Sequence, residues 1–321
     1  MPAHLAVVVV SYGSSALLAT NLVAVQAGLG EPCVVVDNPT TAAERERIQA
    51  LARSHGWSVL LPEVNLGFGG GANLGVAAAF ADGAAEVLLL NPDATIDADS
   101  VRALRDAVAV DRLALVSPLV VDGAGRSWFS GLDLALADGS IRSPKRRSDH
   151  PDDEIVEWLS GACLLITREV WAASGGFDDD YFLYWEDVDF SRRVTEAGGR
   201  VAVVRTATAI HDEGATHREA HQRSEAKSEI YYYYNIRNRM LYAARHLDVD
   251  GVRRWRHSSL SAARAVLLRG GRRQFLRPVR PLRAAWRALR DGRRIADAAI
   301  SGRTVVAGMY TPSTTLRKAE S

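Results

Sequence analysis

Val87-Leu88-Leu89-Leu90-Asn91-Pro92-Asp93 is an apolar run that ends in three residues of a different kind. The run is typical of a fully buried strand in a parallel sheet. Pro92 has no backbone N–H and cannot continue a central strand, so the chain must leave the sheet there. Asp93 is therefore expected just past the carboxyl end of a strand, where open α/β sheets bind their ligands. A short carboxylate there suits a divalent metal ion and its phosphates, although capping of the next helix would also account for Asp93.

Other apolar runs precede this stretch, and segments with helical patterns separate them. Residues 5–10 end at Ser11, residues 33–36 end at Asp37, and residues 57–61 form a third run. Strands that alternate with helices and end in polar residues predict an α/β fold with a doubly wound, mostly parallel sheet. The carboxyl ends of parallel strands share one edge of a sheet, so their polar residues are expected to converge there. These residues are Ser11, Asp37, Asn91 and Asp93.

A glycine-rich segment follows the third run, Asn65-Leu66-Gly67-Phe68-Gly69-Gly70-Gly71-Ala72-Asn73. Its four glycines would let the backbone approach a ligand closely, and a helix that starts there would favour an anion at its N-terminus. The spacing fits neither the dinucleotide-binding glycine motif nor a phosphate-binding loop, because no Lys followed by Ser or Thr comes after it. A flexible turn without a ligand is the alternative.

Residues 118–150 are rich in Gly, Asp, Ser and Arg and are predicted to form a long excursion with a hairpin around Trp128 and Leu134. Long irregular stretches in compact domains are often lids or binding loops. After the excursion, Trp158-Leu159-Ser160-Gly161-Ala162 leads into another predicted strand, 163–166.

Three carboxylates, Glu186, Asp187 and Asp189, begin a predicted helix among several aromatic residues. Acidic residues in a first turn are stabilised by the helix dipole, which is the structural explanation. Three carboxylates among aromatic residues are more than a cap needs. Apolar surroundings raise the proton affinity of a carboxylate, and aromatic rings stack on sugars, so this segment is a candidate for a general base.

His211 follows the last predicted strand, 201–204. A lone histidine is most often structural, but this one leaves a strand near the proposed metal position. That location favours a metal ligand.

The charge of the 321-residue chain is divided unevenly. Residues 251–321 hold 17 Lys and Arg against 3 Asp and Glu, a net +14, whereas the other 250 residues hold 22 against 35, a net −13. We therefore predict a domain over 1–250 and a basic, mainly helical C-terminal extension over 251–321. Basic residues with interleaved apolar anchors favour a helix on an anionic membrane surface; packing on the domain is the alternative. Nucleic acid is not expected to bind, because no recognised module accompanies the charge.

The compartment is predicted from what the sequence contains. No apolar run approaches the roughly 20 residues of a membrane span. The first ten residues lack a basic region and a cleavage site, so we expect a first strand and not a signal peptide. Cys33 and Cys163 lie in separate apolar runs and are predicted to be buried thiols in a reducing compartment. We expect a cytoplasmic protein, peripheral on the inner face of the plasma membrane.

The ordered set of these motifs over residues 5–245 resembles the inverting glycosyltransferases of family 2, and most closely their bacterial rhamnosyltransferase branch. The set comprises Val-Val-Ser11-Tyr12, Val-Val-Asp37-Asn38, the glycine-rich segment 65–73, Asn91-Pro92-Asp93, 158–162, the aromatic and acidic segment 177–189, and His211. The resemblance implies a nucleotide-diphospho-sugar transferase fold of the GT-A type. It also implies that Asp37 binds the pyrimidine base of the donor and that Asp187 is the catalytic base.

The same resemblance implies that Asp93, with His211, holds a divalent metal ion, Mg²⁺ or Mn²⁺, on the donor diphosphate. The first Asp of the family's D-x-D signature is Asn91 here, which leaves one negative charge fewer for the metal. The donor nucleotide would contact Ser11, Tyr12, Asp37, Asn65, Gly67, Asn73, Asn91 and Asp93. The acceptor or the sugar would contact Trp158, Gly161, Ala162, Trp185 and Glu186.

By this resemblance the chain is expected to be a non-processive hexosyltransferase of cell-wall or polysaccharide biosynthesis, since the Q-x-x-R-W motif of processive members is missing. L-Rhamnose from dTDP-rhamnose is the expected donor sugar, and a saccharide or polyprenol-linked saccharide is the expected acceptor. Homo-oligomerisation is possible. The alternatives are a UDP-sugar donor, a soluble natural-product acceptor, or a non-catalytic homologue that binds nucleotide sugars. A nucleotidyltransferase is disfavoured, because Ser11-Tyr12-Gly13-Ser14-Ser15 lacks the basic residues such enzymes carry after the first strand.

Overall fold

A computed structural model describes residues 4–211, 228–271 and 279–303. Within these ranges the chain forms two compact units, one over 4–136 and 140–211, and a helical one over 137–139, 228–271 and 279–303. The predicted division after residue 250 stays a prediction. The contacts of the described residues group the helix Glu229–His246 with the later helices.

Twelve strands lie in the described part of the first unit. They are β1 (Leu5–Ser11), β2 (Cys33–Asp37), β3 (Ser58–Leu60), β4 (Glu86–Leu90), β5 (Ala94–Ile96), β6 (Ala114–Val121), β7 (Ser127–Phe129), β8 (Leu132–Ala135), β9 (Ile141–Arg142), β10 (Ile155–Trp158), β11 (Cys163–Thr167) and β12 (Arg200–His211). The main sheet has the order β3-β2-β1-β4-β11-β6-β12-β5, with β7 paired to β6. A smaller sheet has the order β10-β8-β9.

The first unit also contains several helices. They are α1 (Ser15–Leu17), which continues through a π-helical segment (Leu18–Leu22) into α2 (Val23–Leu29), then α3 (Ala42–His55), α4 (Gly67–Ala81), α5 (Ala98–Val110), a 3₁₀ helix (Pro144–Asp149), α6 (Arg168–Ser174) and α7 (Glu186–Glu196).

The centre of the main sheet confirms the predicted doubly wound arrangement. β1 lies between β2 and β4 and is parallel to both, and every residue of these three strands is buried. Side chains on both faces are covered, which explains why the strands are continuous apolar runs. Ser11 pairs with Asp37 at the carboxyl edge. The sheet therefore gathers the polar ends of its strands on one side.

The other half of the sheet departs from the sequence-based prediction. β11 is antiparallel to both of its neighbours, β4 and β6. β12 extends beyond the predicted strand 201–204, and β6 runs through Pro118 into the segment predicted to be an excursion. Val204 of β12 pairs with Pro118, and Thr208 pairs with Leu119, so β12 bulges between these two pairs. The bulge lets the sheet accommodate the proline. Prolines within sheets are confined to edges and such bulges.

Both cysteines are buried and free, as predicted. Cys33 lies in β2 and Cys163 in β11. Burial raises the pKa of the Cys33 thiol to about 12 and raises that of Cys163 as well. Neither thiol is therefore a nucleophile at neutral pH.

The predicted excursion contains two hairpins among the described residues. β7 returns antiparallel along β6, and β8 pairs with β9 and β10 in the smaller sheet. Trp128 lies in β7 and Leu134 in β8, so each of the two residues that marked the predicted hairpin lies in a strand.

The second unit contains the helices α8 (Glu229–His246), α9 (Val249–His257), α10 (Ser259–Leu268) and α11 (Val279–Ile300). Gly292 lets α11 approach α8, since a Cβ added there would lie 3.2 Å from the Met240 side chain. Arg239 is buried and donates to the carbonyls of Asp138 and Trp255. None of the helices among the described residues is long and apolar enough to cross a membrane.

Candidate active site

The carboxyl ends of β1 and β2 form one wall of the candidate site. Asp37 is only 1% exposed, and its Oδ2 accepts a hydrogen bond from Arg45 Nε at 3.3 Å. Its Oδ1 and the neighbouring Ser11 Oγ are buried and have no hydrogen-bond partner among the described residues. Burial raises the pKa of Asp37 and Arg45 opposes that rise. This wall therefore offers a free carboxylate oxygen and a hydroxyl to a ligand with N–H groups.

The residue after Asp37 connects this wall to the glycine-rich segment. Asn38 Nδ2 donates to the Gly67 carbonyl, and Asn38 Oδ1 accepts from Leu66 N, both at 2.9 Å. Asn65 Oδ1 accepts from Gly67 N. Asn38 was not a predicted site residue, although its position beside Asp37 is a usable signal. Tyr12 lies at the same edge and is exposed.

The glycine-rich segment is the start of helix α4, and the protein itself fills much of the space beside its glycines. Gly67 has a φ of +74°, and a Cβ added there would lie 1.9 Å from the carbonyl oxygen of Phe182. The next residue, Phe68, donates its N–H to that oxygen. A Cβ at Gly71 would meet the Val10 side chain at 2.8 Å. The glycines thus allow α4 to approach the sheet and the segment before α7, and the nucleotide contact of Gly67 stays a prediction.

Asn73 holds the segment that precedes α7. Its Nδ2 donates to the Phe177 carbonyl and to Asp179, and its Oδ1 accepts from Phe177 N, all at 2.9 Å. These bonds occupy both polar atoms of the side chain. The predicted contact of Asn73 with a nucleotide stays a prediction.

Asp93 and His211 meet at the end of β4. The Nε2 atom of His211 lies 3.2 Å from Asp93 Oδ1. The short strand β5 produces this contact, because its first residue, Ala94, pairs with His211 at the end of β12. Sequence reasoning had no strand at 94–96, and it ended β12 seven residues early. The resemblance therefore predicted that the two residues act together, but the sequence did not predict the strand pairing that brings them into contact.

The Asp93–His211 pair fits a divalent metal ion that is shared with a ligand. Asp93 Oδ1 and His211 Nδ1 are buried and have no hydrogen-bond partner among the described residues. Asp93 Oδ1 therefore faces His211 Nε2 without a well-formed hydrogen bond. Mg²⁺ is commonly held by one or two protein carboxylates together with phosphates and waters. No group of three or more His, Cys, Asp or Glu in the described part of the chain is placed to hold a metal by itself.

The turn after β4 lies against the segment 158–162. Asn91 N donates to the Ala162 carbonyl, and Ala94 N donates to the Asn91 carbonyl. Gly161 N in turn donates to Asp187 Oδ2 at 3.2 Å. Two neighbouring residues, Gly161 and Ala162, thus connect the Asp93 turn to Asp187. This is the geometric link between the proposed metal position and the proposed base.

The segment before α7 has a strained backbone. Tyr184 and Trp185 have φ values of 65° and 77°, which non-glycine residues rarely adopt. Trp185 is the N-terminal cap residue of α7 and carries no capping side-chain bond. Strain of this kind costs of order 1–3 kcal/mol per residue and clusters at functional sites. The turn directs the acidic first turn of α7 towards Gly161.

The structure distinguishes the three carboxylates of this turn. Asp189 is buried and bonded to Arg193 at 2.8 Å, which suits a structural role. Glu186 is 6% exposed, and its Oε2 has no partner among the described residues. Asp187 is partly exposed and accepts hydrogen bonds from Gly161 N and Val188 N. Asp187 is therefore the carboxylate that can both be held in place and reach a ligand.

Burial controls the protonation of this pair. It raises the pKa of Asp187 to about 6, against the lowering effect of the Gly161 and Val188 N–H groups. Burial, reinforced by the negative charges of Asp187 and Asp189, raises the pKa of Glu186 well above its usual value. Two adjacent carboxylates, one buried and one partly buried, do not both ionise easily. Burial therefore favours the protonated form more strongly at Glu186 than at Asp187.

Aromatic residues surround the segment 158–162. The Trp158 ring lies 5.4 Å from that of Phe129, and its Nε1 is buried without a partner among the described residues. Gly161 lies against the Phe68 ring, which a Cβ would approach to 2.8 Å. Leu159 N donates to Ser191 Oγ in α7. The predicted residues Trp158, Gly161, Ala162, Trp185 and Glu186 thus lie in or beside one wall that contains Asp187.

A family-wide comparison identifies the chain. The family described as "Glycosyl transferase family group 2" matches residues 87–292, which is more than half of the protein. The chain belongs to this family. The match includes Asp93, the segment 158–162, Asp187 and His211. The protein is therefore a member of a glycosyltransferase family, as the order of its motifs predicted.

Curated relatives are similar in sequence to part of this chain. A Mycobacterium tuberculosis protein named "N-acetylglucosaminyl-diphospho-decaprenol L-rhamnosyltransferase" is 32% identical over 197 residues, which cover 51% of this chain and 64% of the relative. The "Low-salt glycan biosynthesis hexosyltransferase Agl10" of Haloferax volcanii is 24% identical over 203 residues, 61% of this chain and 63% of the relative. The chain thus spans less than two thirds of the length of these relatives. The similarity to the former supports the rhamnosyltransferase branch of the family.

Solved structures confirm the GT-A fold of the glycosyltransferase. GalNAc-T7 with UDP, GalNAc and Mn²⁺ is similar with a TM-score of 0.53 at 15% identity, over 80% of this chain and 55% of that one. The mannosyltransferase PcManGT from Pyrobaculum calidifontis, in complex with GDP-Man and Mn²⁺, gives 0.52 at 14% identity, over 92% and 87%. Both neighbours were crystallised with Mn²⁺, which is consistent with divalent-metal dependence in enzymes of this fold.

Proposed function

We propose that this glycosyltransferase is a metal-dependent, inverting, non-processive enzyme that transfers L-rhamnose from dTDP-rhamnose to a saccharide or polyprenol-linked acceptor. The observation that carries the proposal is the connection of the Asp93–His211 pair to Asp187 through the neighbouring residues Gly161 and Ala162. A single displacement at an anomeric carbon needs a base on one side and stabilisation of a leaving diphosphate on the other. The two groups at this site supply those two functions.

In the proposed reaction Asp187 accepts the proton of the acceptor hydroxyl. The hydroxyl oxygen forms a bond to the anomeric carbon as the bond from that carbon to the diphosphate breaks, which inverts the configuration. Gly161 N and Val188 N hold the Asp187 carboxylate in place for this step. Asp93 and His211 would hold the metal ion, which supplies positive charge to the departing diphosphate when bound.

The donor is proposed from the β1 and β2 wall. Asp37 Oδ1 is buried, has no hydrogen-bond partner within the described ranges and would accept the N–H of a thymine or uracil ring, and Ser11 Oγ lies beside it. The similarity to the Mycobacterium tuberculosis L-rhamnosyltransferase supports rhamnose as the sugar and a lipid-linked saccharide as the acceptor. Aromatic residues in and beside 158–162 are the proposed contacts of the sugar and acceptor rings.

We also propose that the C-terminal region contacts an anionic membrane, which would place the enzyme on the inner face of the plasma membrane. The supporting observation is the outer side of α11, where Leu282 and the 62% exposed Trp286 lie among exposed arginines such as Arg283. Basic helices with apolar anchors bind such surfaces. Cosedimentation with phosphatidylglycerol vesicles tests this, and L282S/W286S is expected to lose binding. The matched control is V110S, which removes a 90% exposed valine in α5.

The test of the proposed activity is a thermal-shift panel followed by a transfer assay. Only the native state binds the donor, so a bound donor raises the unfolding midpoint. We expect a shift with dTDP-rhamnose and Mn²⁺ that EDTA abolishes, and a smaller shift with UDP-glucose or UDP-galactofuranose. A larger shift with a UDP-sugar would reassign the donor. Nucleotide binding without sugar transfer or donor hydrolysis would favour a non-catalytic homologue.

A further inference from the structure

Trp128 covers the imidazole of His211. The two rings are stacked, with centroids 4.3 Å apart and planes 25° apart. The β6–β7 hairpin produces this contact, because Val121 of β6 pairs with both Ser127 of β7 and Ile210 of β12. The indole is 42% exposed, whereas His211 beneath it is buried. Trp128 therefore lies between His211 and the solvent.

No described residue fixes the orientation of this imidazole by a hydrogen bond from its second nitrogen. A histidine that binds a metal usually donates its other ring N–H to a carboxylate or carbonyl, which sets the ring plane. His211 Nδ1 is buried and has no such partner among residues 4–211, 228–271 and 279–303. Among the described residues, the stacked indole is a contact that restricts the plane of the ring, and Nε2 faces Asp93 Oδ1 in that plane.

We propose that Trp128 is a positioning residue that holds His211 in the orientation needed to share a divalent metal ion with Asp93. The inference rests on the proposed function, because it requires a metal bound with the donor diphosphate. Aromatic stacking restricts rotation of the imidazole, and the indole shields the His211 side chain from water. Trp128 thereby takes the place of the hydrogen-bonding partner that metal-bound histidines ordinarily have.

The test measures the affinity of the full chain for Mn²⁺ in the presence of saturating dTDP, with free Mn²⁺ followed by electron paramagnetic resonance. Removing an outer partner of a metal ligand typically costs 10–100-fold in metal affinity. We expect Trp128→Ala to weaken Mn²⁺ binding by about tenfold, at the lower end of that range. Trp128→Phe, which can still stack, is expected to restore most of the affinity, whereas Trp128→Leu is not.

Two controls separate this role from a merely structural one. Ser127→Ala changes the exposed neighbour of Trp128 in the same strand and is expected to bind Mn²⁺ like the wild type. The affinity of each variant for dTDP in EDTA is expected to stay at the wild-type value. A loss of dTDP affinity in EDTA for Trp128→Ala would show a general disturbance of the site and would overturn the inference.

Indole fluorescence provides a second readout. Paramagnetic Mn²⁺ quenches an indole close to it, whereas diamagnetic Mg²⁺ does not. We expect the Mn²⁺-specific quenching in the presence of dTDP to be reduced in Trp128→Phe, although that variant still binds the metal. Quenching as strong as in the wild type would mean that Trp128 does not lie near the metal and would overturn the inference.

The outcomes distinguish this inference from the proposed function on which it rests. If the wild type binds Mn²⁺ with dTDP and Trp128→Ala binds it equally well, only the inference fails. It also fails if Trp128→Leu restores binding as fully as Trp128→Phe, since bulk alone would then suffice. If the wild type binds no Mn²⁺ with any nucleoside diphosphate, the metal assignment of the proposed function fails together with it.

Discussion

Acidic residues at the amino edge and at the carboxyl edge of the main sheet differ in whether their carboxylate oxygens are paired. At the amino edge, Glu86 begins β4 and is bonded to Arg105 Nε at 2.8 Å and to Arg112 Nη1 at 2.6 Å. At the carboxyl edge, Asp37 and Asp93 each keep a buried oxygen without a hydrogen-bond partner among the described residues. Both edges belong to the same parallel strands. The difference therefore reflects what each edge does and not how the chain folds.

Buried polar atoms without partners cost free energy, so a folded chain satisfies them unless a ligand does so instead. At the amino edge, the carboxylate of Glu86 is paired with two arginines, and these ion pairs stabilise that end of the sheet. At the carboxyl edge, four buried atoms have no hydrogen-bond partner in the described part of the chain: Ser11 Oγ, Asp37 Oδ1, Asp93 Oδ1 and His211 Nδ1. This contrast predicts that substitutions at the carboxyl edge reduce function and substitutions at the amino edge reduce stability.

The largest expected effect is that of Asp187→Asn. Loss of a general base costs roughly 10²–10⁴-fold in turnover, and we expect kcat to fall by that amount while donor affinity changes little. Steady-state kinetics with dTDP-rhamnose measure it, with thermal unfolding as a check on the fold. The matched control is Glu196→Gln, a carboxylate at the opposite end of α7 that is paired with Arg192. Wild-type turnover in Asp187→Asn would refute the base assignment.

The second effect concerns His211→Ala. Removal of a direct metal ligand is expected to weaken donor binding in Mn²⁺ by at least the roughly 10–100-fold that loss of an outer partner costs. Calorimetric titration in Mn²⁺ and in EDTA measures the difference. The affinity in EDTA is expected to be the same as for the wild type. An equal loss in both conditions would mean that His211 binds the nucleotide directly or supports the fold.

The third effect tests the amino edge. Glu86→Gln removes the negative charge that Arg105 and Arg112 share. Because those arginines are partly exposed, the loss of stability is smaller than for a fully buried ion pair. We expect the free energy of unfolding to fall by about 1–3 kcal/mol, measured by urea denaturation, while kcat and donor affinity stay at wild-type values. A loss of turnover with unchanged stability would break the contrast between the two edges.

The smallest expected effect is the dependence of kcat/KM on pH. Because burial raises the pKa of Asp187 to about 6, its base form is lost below that pH. We expect kcat/KM to fall about tenfold per unit below pH 6 and to level off above it, as a pH–rate profile would record. A level profile from pH 5 to pH 8 would contradict a base with this pKa.

The raised pKa of Asp187 also makes the free energy of unfolding depend on pH. The folded chain holds the Asp187 proton more tightly than the unfolded chain, whose carboxyl has a pKa near 3.9. The free energy of unfolding contributed by this group is therefore greatest below about pH 4 and decreases as the pH rises to about 6. Urea denaturation of the wild type and Asp187→Asn at several pH values measures that contribution.

The sequence alone allowed much of the architecture to be predicted. Continuous apolar runs predicted β1, β2 and β4 because both faces of those strands are buried, and the polar residues at their ends predicted the carboxyl edge. The antiparallel direction of β11 was not predictable, since an apolar strand carries no signal of its direction. β5 was too short to give a periodic pattern.

The resemblance predicted the residues of the candidate site and their roles, but not the strand pairing and hydrogen bonds that bring them together. The Asp93–His211 pair depends on β5, and the choice of Asp187 over Glu186 and Asp189 depends on Gly161 and Arg193. Arg45, which holds Asp37, lies eight residues away on α3, and no local pattern predicted it. Trp128 was noted only as part of a hairpin, since its stacking partner lies 83 residues further along the chain.

By itself, the sequence determined the fold class and the identity of the chemical groups, because these depend on local patterns of apolar, glycine and acidic residues. It indicated the family through a resemblance in the order of its motifs. Only the tertiary structure decided which of those groups are free and which are satisfied. Glu86 and Asp93 are both acids at ends of β4, yet one is bonded to two arginines and the other faces a histidine. The physical reason is that hydrogen bonding, burial and pKa depend on neighbours that long-range strand pairing brings together.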